Sequence, residues 1–507
     1  MPFFKKIESY SRGIFFSTFF NVIAKSIGFI NSIFIAFFFG TQAQTDVYFY
    51  AIAAVWLVAS FFVGFSTSVL IPESIRLREQ RSARESQAFL NFFLYFFAIT
   101  AAAITAMFYS APVRIFTLCS SFDSTVLLAN KQMLLVSIPL IALMMLSTYL
   151  LDILTSYKYF TQPMIASMIN SLFSIVFMLL FHGRLHVLSI MYGILAGYAL
   201  NVGLLLALLK SRLAWNFTPR FVRLPRKVVA DILFSQAGNF TSFLAYYFPL
   251  YLLSGLGAGT IAALNFGKQI SEMPNQFIST QFSSVAGVKY AELYARDDFC
   301  GLDATLSRTV NFLVFILVPV TCLAILFDRE IVTVLFKRGR FDDASVAASS
   351  MFLRYCILSL PFIGIDTIIA RCIMACRKIK QAFAYQIALN AVFLAALPFL
   401  IRAFGGVGYP LAVLLKFGAG FFLMHVLLKM FIPFVRYGSI LRYFFKILIL
   451  NALIGAAVAA VSRYALPMHY LLRAGAGTAL YTVLLLAAND ILHVNDDARS
   501  AVRRFCR

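Results

Sequence analysis

The sequence predicts an all-α polytopic membrane protein with about fourteen transmembrane helices, and three observations carry that prediction. Hydrophobic residues make up 61% of the 507 and charged residues only 13%, where a soluble domain is about a quarter charged. Phenylalanine alone supplies 56 residues, which suits surface facing lipid. Apolar runs of about 20 residues, the length that crosses a bilayer, recur along the whole chain.

The first run, 14–40, is too long for a cleaved signal peptide and lacks a small-residue cleavage site before a polar start. A glycine-bearing turn leads to 46–72, and a stretch carrying Arg76, Arg78, Arg81 and Arg84 separates that span from 88–110. Spans 131–153, 163–181 and 187–209 follow. Residues 210–231, KSRLAWNFTPRFVRLPRKVVAD, form the longest basic connector and divide six spans from eight. Beyond it, 232–256 and 258–288 form a hairpin closed by the tight turn GLGAG (255–259). The remaining spans are 309–327, 349–374, 381–401, 409–430, 444–462 and 470–489. The predicted organisation is a first lobe at 1–209, the connector at 210–231, a second lobe at 232–430, and two further spans with a basic tail at 431–507. A weak repeat supports two lobes: with residue n set against n+216, FFGTQAQTD (38–46) falls on SGLGAGTIA (254–262). Spans 1 and 7 begin on the same side, so these repeats run parallel.

The formal charge of +22 is not spread evenly. Lys5, Lys6 and Arg12 precede the first span, and Lys210, Arg212, Arg220, Arg223, Arg226 and Lys227 occupy the connector. Arg377, Lys378 and Lys380 follow span 10, and Arg499, Arg503, Arg504 and Arg507 end the chain. Basic residues on alternate loops are the positive-inside bias. Both termini are therefore expected in the cytoplasm, with the basic charge against anionic headgroups and no nucleic acid as partner. Of the seven cysteines, Cys372 and Cys376 share a helix face, but no second ligand pair exists to make a metal site. Cys119 is the one expected in an outer loop, so no outer disulfide is predicted.

Charge inside the spans is the stronger functional signal. ALNFGKQISEMP (263–274) puts Lys268 and Glu272 four residues apart, on one helix face. A charge at the centre of a spanning helix costs about 2.5–3.5 kcal/mol on insertion scales and usually faces a bundle interior or a watery cavity. Lys25, Asp46, Arg354, Asp366, Arg371 and Lys416 also fall within spans. Lys268 and Glu272 can be read as a mutual ion pair, Asp46 as a local helix cap, and Arg371 as snorkelling to the inner surface. Lys25, Lys268, Arg354 and Lys416 lie many residues from their span ends, and a cavity with excess positive charge suits an anionic substrate. Enzyme signatures are lacking: the histidines are scattered at 182, 186, 425, 469 and 493, and no Walker motif occurs. Asp342-Asp343 follows Lys337, Arg338 and Arg340 and reads as balancing them. A transporter without cofactor or metal is expected, with a membrane glycan polymerase or ligase as the reading from another class.

Four segments carry a family resemblance. VLFKRGRFD (334–342), with Arg338 and Gly339 at its centre, resembles the LF-x-RG-x-F signature of the MurJ/MviN lipid II flippases. ALNFGKQISEMP is similar to that family's helix-8 segment. IGF (27–29), FG (39–40) and TD (45–46) resemble its N-terminal pattern, and GVGYPLA (406–412) resembles the start of its helix 12. The resemblance runs in order from about residue 24 to 415.

It implies two six-helix lobes in a V plus two C-terminal helices, within the multidrug/oligosaccharidyl-lipid/polysaccharide exporter superfamily. It also implies a flippase that moves a polyprenyl-diphosphate-linked saccharide, with lipid II first, across the bacterial inner membrane by alternating access. O-antigen and exopolysaccharide units remain alternative cargoes. The resemblance falls on Lys25, Lys268, Gln269 and Glu272 as diphosphate contacts, the charges inside the spans add Arg354 and Lys416, and Asp46, Arg338 and Gly339 are supporting motif residues. Lys25 stands where the family has arginine, Asn31 and Ser32 where it has an Arg-Asp pair, and Gln269 on its helix-8 arginine. The expected cavity lies between 1–209 and 232–430, and the last two spans pack outside it beside a groove for the polyprenyl chain. Arg338 and Arg340 are expected on the outer side, offset by Asp328, Glu330, Asp342 and Asp343. Oligomeric state is not legible.

Overall fold

The computed structural model describes residues 10–159, 161–464, 470–492 and 495. Lys5, Lys6, Arg499, Arg503, Arg504, Arg507, Cys506, His469 and His493 lie outside the described residues, as does the side chain of Arg12.

Every regular element among them is helical. In lipid this is the expected solution, because a helix satisfies its own backbone donors and acceptors. The first half runs α1 (Tyr10–Phe39), α2 (Ala43–Val63), α3 (Ile71–Gln80), α4 (Ala83–Ser110), α5 (Pro112–Leu118), α6 (Ser124–Ala129), α7 (Lys131–Ser156), α8 (Thr161–Leu185) and α9 (Leu188–Leu213). The second runs α10 (Arg226–Ser254), α11 (Thr260–Pro274), α12 (Thr280–Ala295), α13 (Phe299–Leu326), α14 (Asp328–Phe336), α15 (Asp343–Ile357), α16 (Leu360–Ala375), α17 (Ile379–Phe404) and α18 (Gly408–Phe431). Then come α19 (Tyr437–Tyr464) and α20 (Tyr470–Leu492).

The faint sequence repeat is plain in this order. Ala83 and Phe299, and Pro112 and Asp328, begin helices 216 residues apart. A π-helical turn follows the second long helix in both halves, at Ser66–Leu70 and Asn275–Ser279. Such turns concentrate at functional sites, since each leaves the regular ladder locally open.

Among the described residues, ten helical stretches are long and apolar enough to cross a membrane, or eleven with the pair α15 and α16, bent by 42°. The expected fourteen is therefore not reached by this criterion, for two physical reasons. Lys380–Phe431, at 52 residues, counts once, although it holds α17 and α18 and is far longer than one crossing needs. In addition, α10 carries Gln236, Asn239 and Thr241, while α11 and its π-helical turn carry Lys268, Gln269, Glu272, Asn275 and Gln276, which dilute an apolar average.

The chain forms two compact units, Met1–Ala262 with Arg338–Phe341, and Ala263–Lys337 with Asp342–Arg507. In the first, α7 packs on α2, α4 and α9, and its Tyr149 hydroxyl donates to the Leu90 carbonyl at 2.9 Å. Gly193 and Gly197 allow α9 to lie directly on α8: a Cβ at Gly197 would come within 2.8 Å of the Asn170 Cα. Small residues four apart are how helices approach without a hydrophobic driving force between them. The connector is pinned to α4, where Trp215 donates to Asn91 Oδ1 at 2.7 Å and Asn91 Nδ2 to the Asn216 carbonyl at 2.6 Å.

In the second unit α13 packs against α12, α16 and α19, and α17 lies along α18. The last two helices carry a buried polar link, Tyr481 donating to Asn451 Oδ1 at 2.6 Å. Arg436 and Arg473 pair with Asp303 and Glu330, both buried carboxylates.

Gly197→Leu should wedge α8 from α9 and cost about 1–3 kcal/mol. The thermal midpoint of the detergent-purified protein should fall, while Gly203→Ala, with open space around its Cβ, should leave it unchanged. Equal midpoints for both variants would contradict this packing.

Candidate functional site

Three of the segments singled out in the sequence meet inside the first unit. After α1 the chain turns at Gly40, whose φ of +59° favours glycine. A Cβ there would sit 2.6 Å from the Arg340 carbonyl oxygen. Gly339, at φ +60°, lies against the Phe37 carbonyl, and the Arg340 N–H donates to that same oxygen at 2.9 Å. The two glycines thus interlock backbone against backbone, and Phe341 is buried beside them. Arg338 is exposed.

Asp46 completes this arrangement. Its Oδ2 accepts from the Gly259 N–H at 2.6 Å and its Oδ1 from the Ala262 N–H at 2.7 Å. The expected local cap is corrected here: Asp46 caps, but at the start of α11, more than two hundred residues onward. Two orphan amides and the positive end of a helix reward a carboxylate at this position, which sequence distance conceals. Gly259, at φ +86°, would bring a Cβ within 2.6 Å of the Thr41 carbonyl.

The lysines of the second unit sit among polar groups from other helices. Lys268 Nζ lies 3.6 Å from Glu272 Oε1. It also donates to the Tyr409 hydroxyl at 3.3 Å and stands 5.6 Å from that ring's centroid. The side chains of Lys268 and Glu272 remain 35% and 44% exposed, so an incoming group can reach both. Gln269 is half-buried on the next position of α11. Lys416 donates to Asn390 Oδ1 at 2.9 Å and faces the rings of Phe393 and Phe417. Asp366 accepts from the Tyr385 hydroxyl at 2.8 Å. In the first unit, Lys25 is half-buried on α1 with no ion-pair partner among the described residues.

Arg354 differs from these lysines. Its Nε meets Asp328 Oδ2 at 2.5 Å, a pair joining α15 to the start of α14. Of the acidic residues near Arg338 and Arg340, Asp328 and Glu330 are paired with arginines of other segments, while Asp343 balances Lys337 as the sequence predicts. Asp328 answers Arg354, Glu330 answers Arg473, and Asp343 answers Lys337 at 2.7 Å. Asp342 caps α15, accepting from the Ser345 N–H at 2.8 Å and its hydroxyl at 2.7 Å, which holds this carboxyl below its ordinary pKa.

Tyr409, Asn390 and Tyr385 belong to the candidate site although no pattern in the sequence selects them. Tyr409 lies within the quoted GVGYPLA, yet only the fold of α18 against α17 carries it to Lys268. Gly408 makes that approach possible, because a Cβ there would come within 2.5 Å of the Ile401 nitrogen. Asp152 on α7 is a further intramembrane carboxylate, absent from the sequence-derived set.

The family model described as lipid II flippase MurJ matches residues 35–473. A probable lipid II flippase MurJ of Buchnera aphidicola (Schizaphis graminum) is 22% identical over 427 residues, covering 80% of each chain. One from Aquifex aeolicus is 24% identical over 442 residues, covering 83% of this chain and 84% of its own. Among solved structures, a lipid II flippase MurJ in an inward closed conformation superposes with TM-score 0.78 at 19% identity, covering 94% of this chain and 99% of that one. An inward-facing multidrug resistance transporter of the MATE family and MOP superfamily gives TM-score 0.65 at 13% identity, covering 83% and 96%.

Replacing Asp46 should expose how much its cap contributes. Asp46→Ala strands two backbone donors, at about 1–3 kcal/mol each, whereas Asp46→Asn keeps one acceptor and loses the charge. Thermal midpoints should fall in the order wild type, Asn, Ala; an alanine variant as stable as wild type would contradict the capping role.

Proposed function

This chain belongs to the lipid II flippase MurJ family, and from that premise we propose that it moves lipid II, an undecaprenyl-diphosphate-linked saccharide, across the bacterial inner membrane by alternating access. Both termini lie in the cytoplasm in this reading, and 1–209 and 232–430 act as the two lobes. Several helices apolar enough to span, and the bias of basic residues to alternate loops, support it.

The observation that carries the proposal is the state of Lys268. A lysine inside a spanning helix is expensive unless something answers its charge. Here the answer is divided between a carboxylate at 3.6 Å, itself 44% exposed, and a half-buried phenol at 3.3 Å. A permanent strut would be better served by one close contact to a buried carboxylate, as Arg354 has with Asp328 at 2.5 Å. Loosely held ammonium can exchange partners when a stronger anion arrives.

The cargo's diphosphate is such an anion. It must leave water to cross, and fixed cations replace part of its hydration. Lys268 makes the first contact, with Lys416 as a further cation of the same unit, and Lys25 is the cation that the first unit offers. Arg354, already tied to Asp328, contributes through the position of α15. Gln269 offers a neutral donor beside Lys268. Glu272 reclaims the ammonium when the cargo departs, which keeps the empty carrier from stalling with an unpaired charge. The polyprenyl chain stays in lipid, where its apolar surface belongs.

The test is a bacterium depleted of its own lipid II flippase and supplied with variants of this chain. Lys268→Ala should abolish growth rescue at near-normal protein abundance, and Lys268→Arg should retain part of it. Rescue at wild-type level by Lys268→Ala with Glu272→Ala would reduce the pair to a strut and sink the assignment.

A further inference from the structure

Tyr409 holds Lys268 in a way that leaves it with something to give. The ammonium donates to the Tyr409 hydroxyl oxygen at 3.3 Å, so the oxygen serves as acceptor. The hydroxyl's own hydrogen has no acceptor among the described residues, and it stands beside the positive charge of Lys268. Phe393 packs against the phenol edge-on, 6.3 Å between centroids, and Gly408 sets the close approach of α18 to α17, so the ring is held in place.

We propose that Tyr409 is a second anion donor of this site, its O–H and the Lys268 ammonium together gripping one phosphate of a polyprenyl diphosphate. The inference rests on the reading of Lys268 as a diphosphate contact and adds the group that gives the contact direction. A lysine alone is a point charge on a flexible stem, whereas an arginine presents two parallel donors that match a phosphate edge. At this site Lys268 supplies the charge and Tyr409 the second donor, from a different helix. Both residues are in the same unit, one on α11 and the other on α18. The arrangement makes Tyr409 a specificity-determining residue: it favours a headgroup with phosphate oxygens in the plane the two donors define.

The test uses the full-length purified protein and undecaprenyl diphosphate as probe, with binding followed by titration in detergent. Tyr409→Phe keeps the ring and its attraction for the ammonium but removes the donor. It should weaken binding about tenfold in a protein that still unfolds in one cooperative transition. Lys268→Arg placed in the Tyr409→Phe protein should recover most of that loss, because the guanidinium restores a second donor. Should Lys268→Ala bind the probe like wild type, the diphosphate reading of the site fails. If Lys268→Ala weakens binding but Tyr409→Phe does not, only the role of Tyr409 falls. Weakening by Tyr409→Phe that Lys268→Arg cannot recover would make the phenol a packing group and overturn the proposal. Equal displacement of the probe by phosphatidylglycerol would show a general phospholipid site and overturn the specificity.

Discussion

A bilayer offers no water to a stray charge or amide, and the arrangement of polar groups in this chain follows from that constraint. Each intramembrane polar group must find its partner within the protein or be retained for a ligand. Asp46 finds two amides at the start of α11, Arg354 finds Asp328, and Asn451 finds Tyr481. Against these firm pairings, Lys268 stands out as a cation held by two weak partners at once, and Lys25 as one held by none among the described residues. A transporter of anionic lipid needs that inequality: fixed charges to keep the helices in register, and loosely held ones to offer the cargo.

The same constraint explains the glycines at the end of α1. Between Phe37 and Gly40 on one side and Gly339 and Arg340 on the other, main chain meets main chain with no side chain intervening. Backbone groups pair there directly, and the Arg338–Phe341 loop is grouped with the first unit although the chain on both sides of it belongs to the second. The signature seen in the sequence is therefore a docking motif for backbone as much as a display of arginine.

Periodic features of the chain were legible without coordinates. Hydropathy gave the helical membrane class, and the offset of 216 between two glycine turns foretold a repeat that the starts of α4 and α13 and of α5 and α14 reproduce. Lys268, Glu272 and Lys416 could be selected because an intramembrane charge is conspicuous in any register. Partnerships between distant segments were not legible. Nothing near Asp46 reveals that its amides lie beyond residue 258, and nothing in the composition around 328 and 330 shows that both carboxylates serve other arginines than those of the adjacent loop. Tyr409 is one of 23 tyrosines, and its value comes only from the neighbour that folding supplies. The span count suffered differently: polar residues on α10 and α11 weaken the apolar signal, and those of α11 include candidate binding groups.

Reconstituted transport tests the central claim most directly. Purified protein would be placed in liposomes carrying lipid II, and the fraction that becomes accessible to an impermeant glycan-cleaving enzyme would be followed with time. The expected result is time-dependent exposure of lipid II from the protected leaflet, absent from protein-free liposomes. Correctly folded protein that leaves lipid II protected, while exposing a different polyprenyl-diphosphate glycan, would contradict the assignment of cargo.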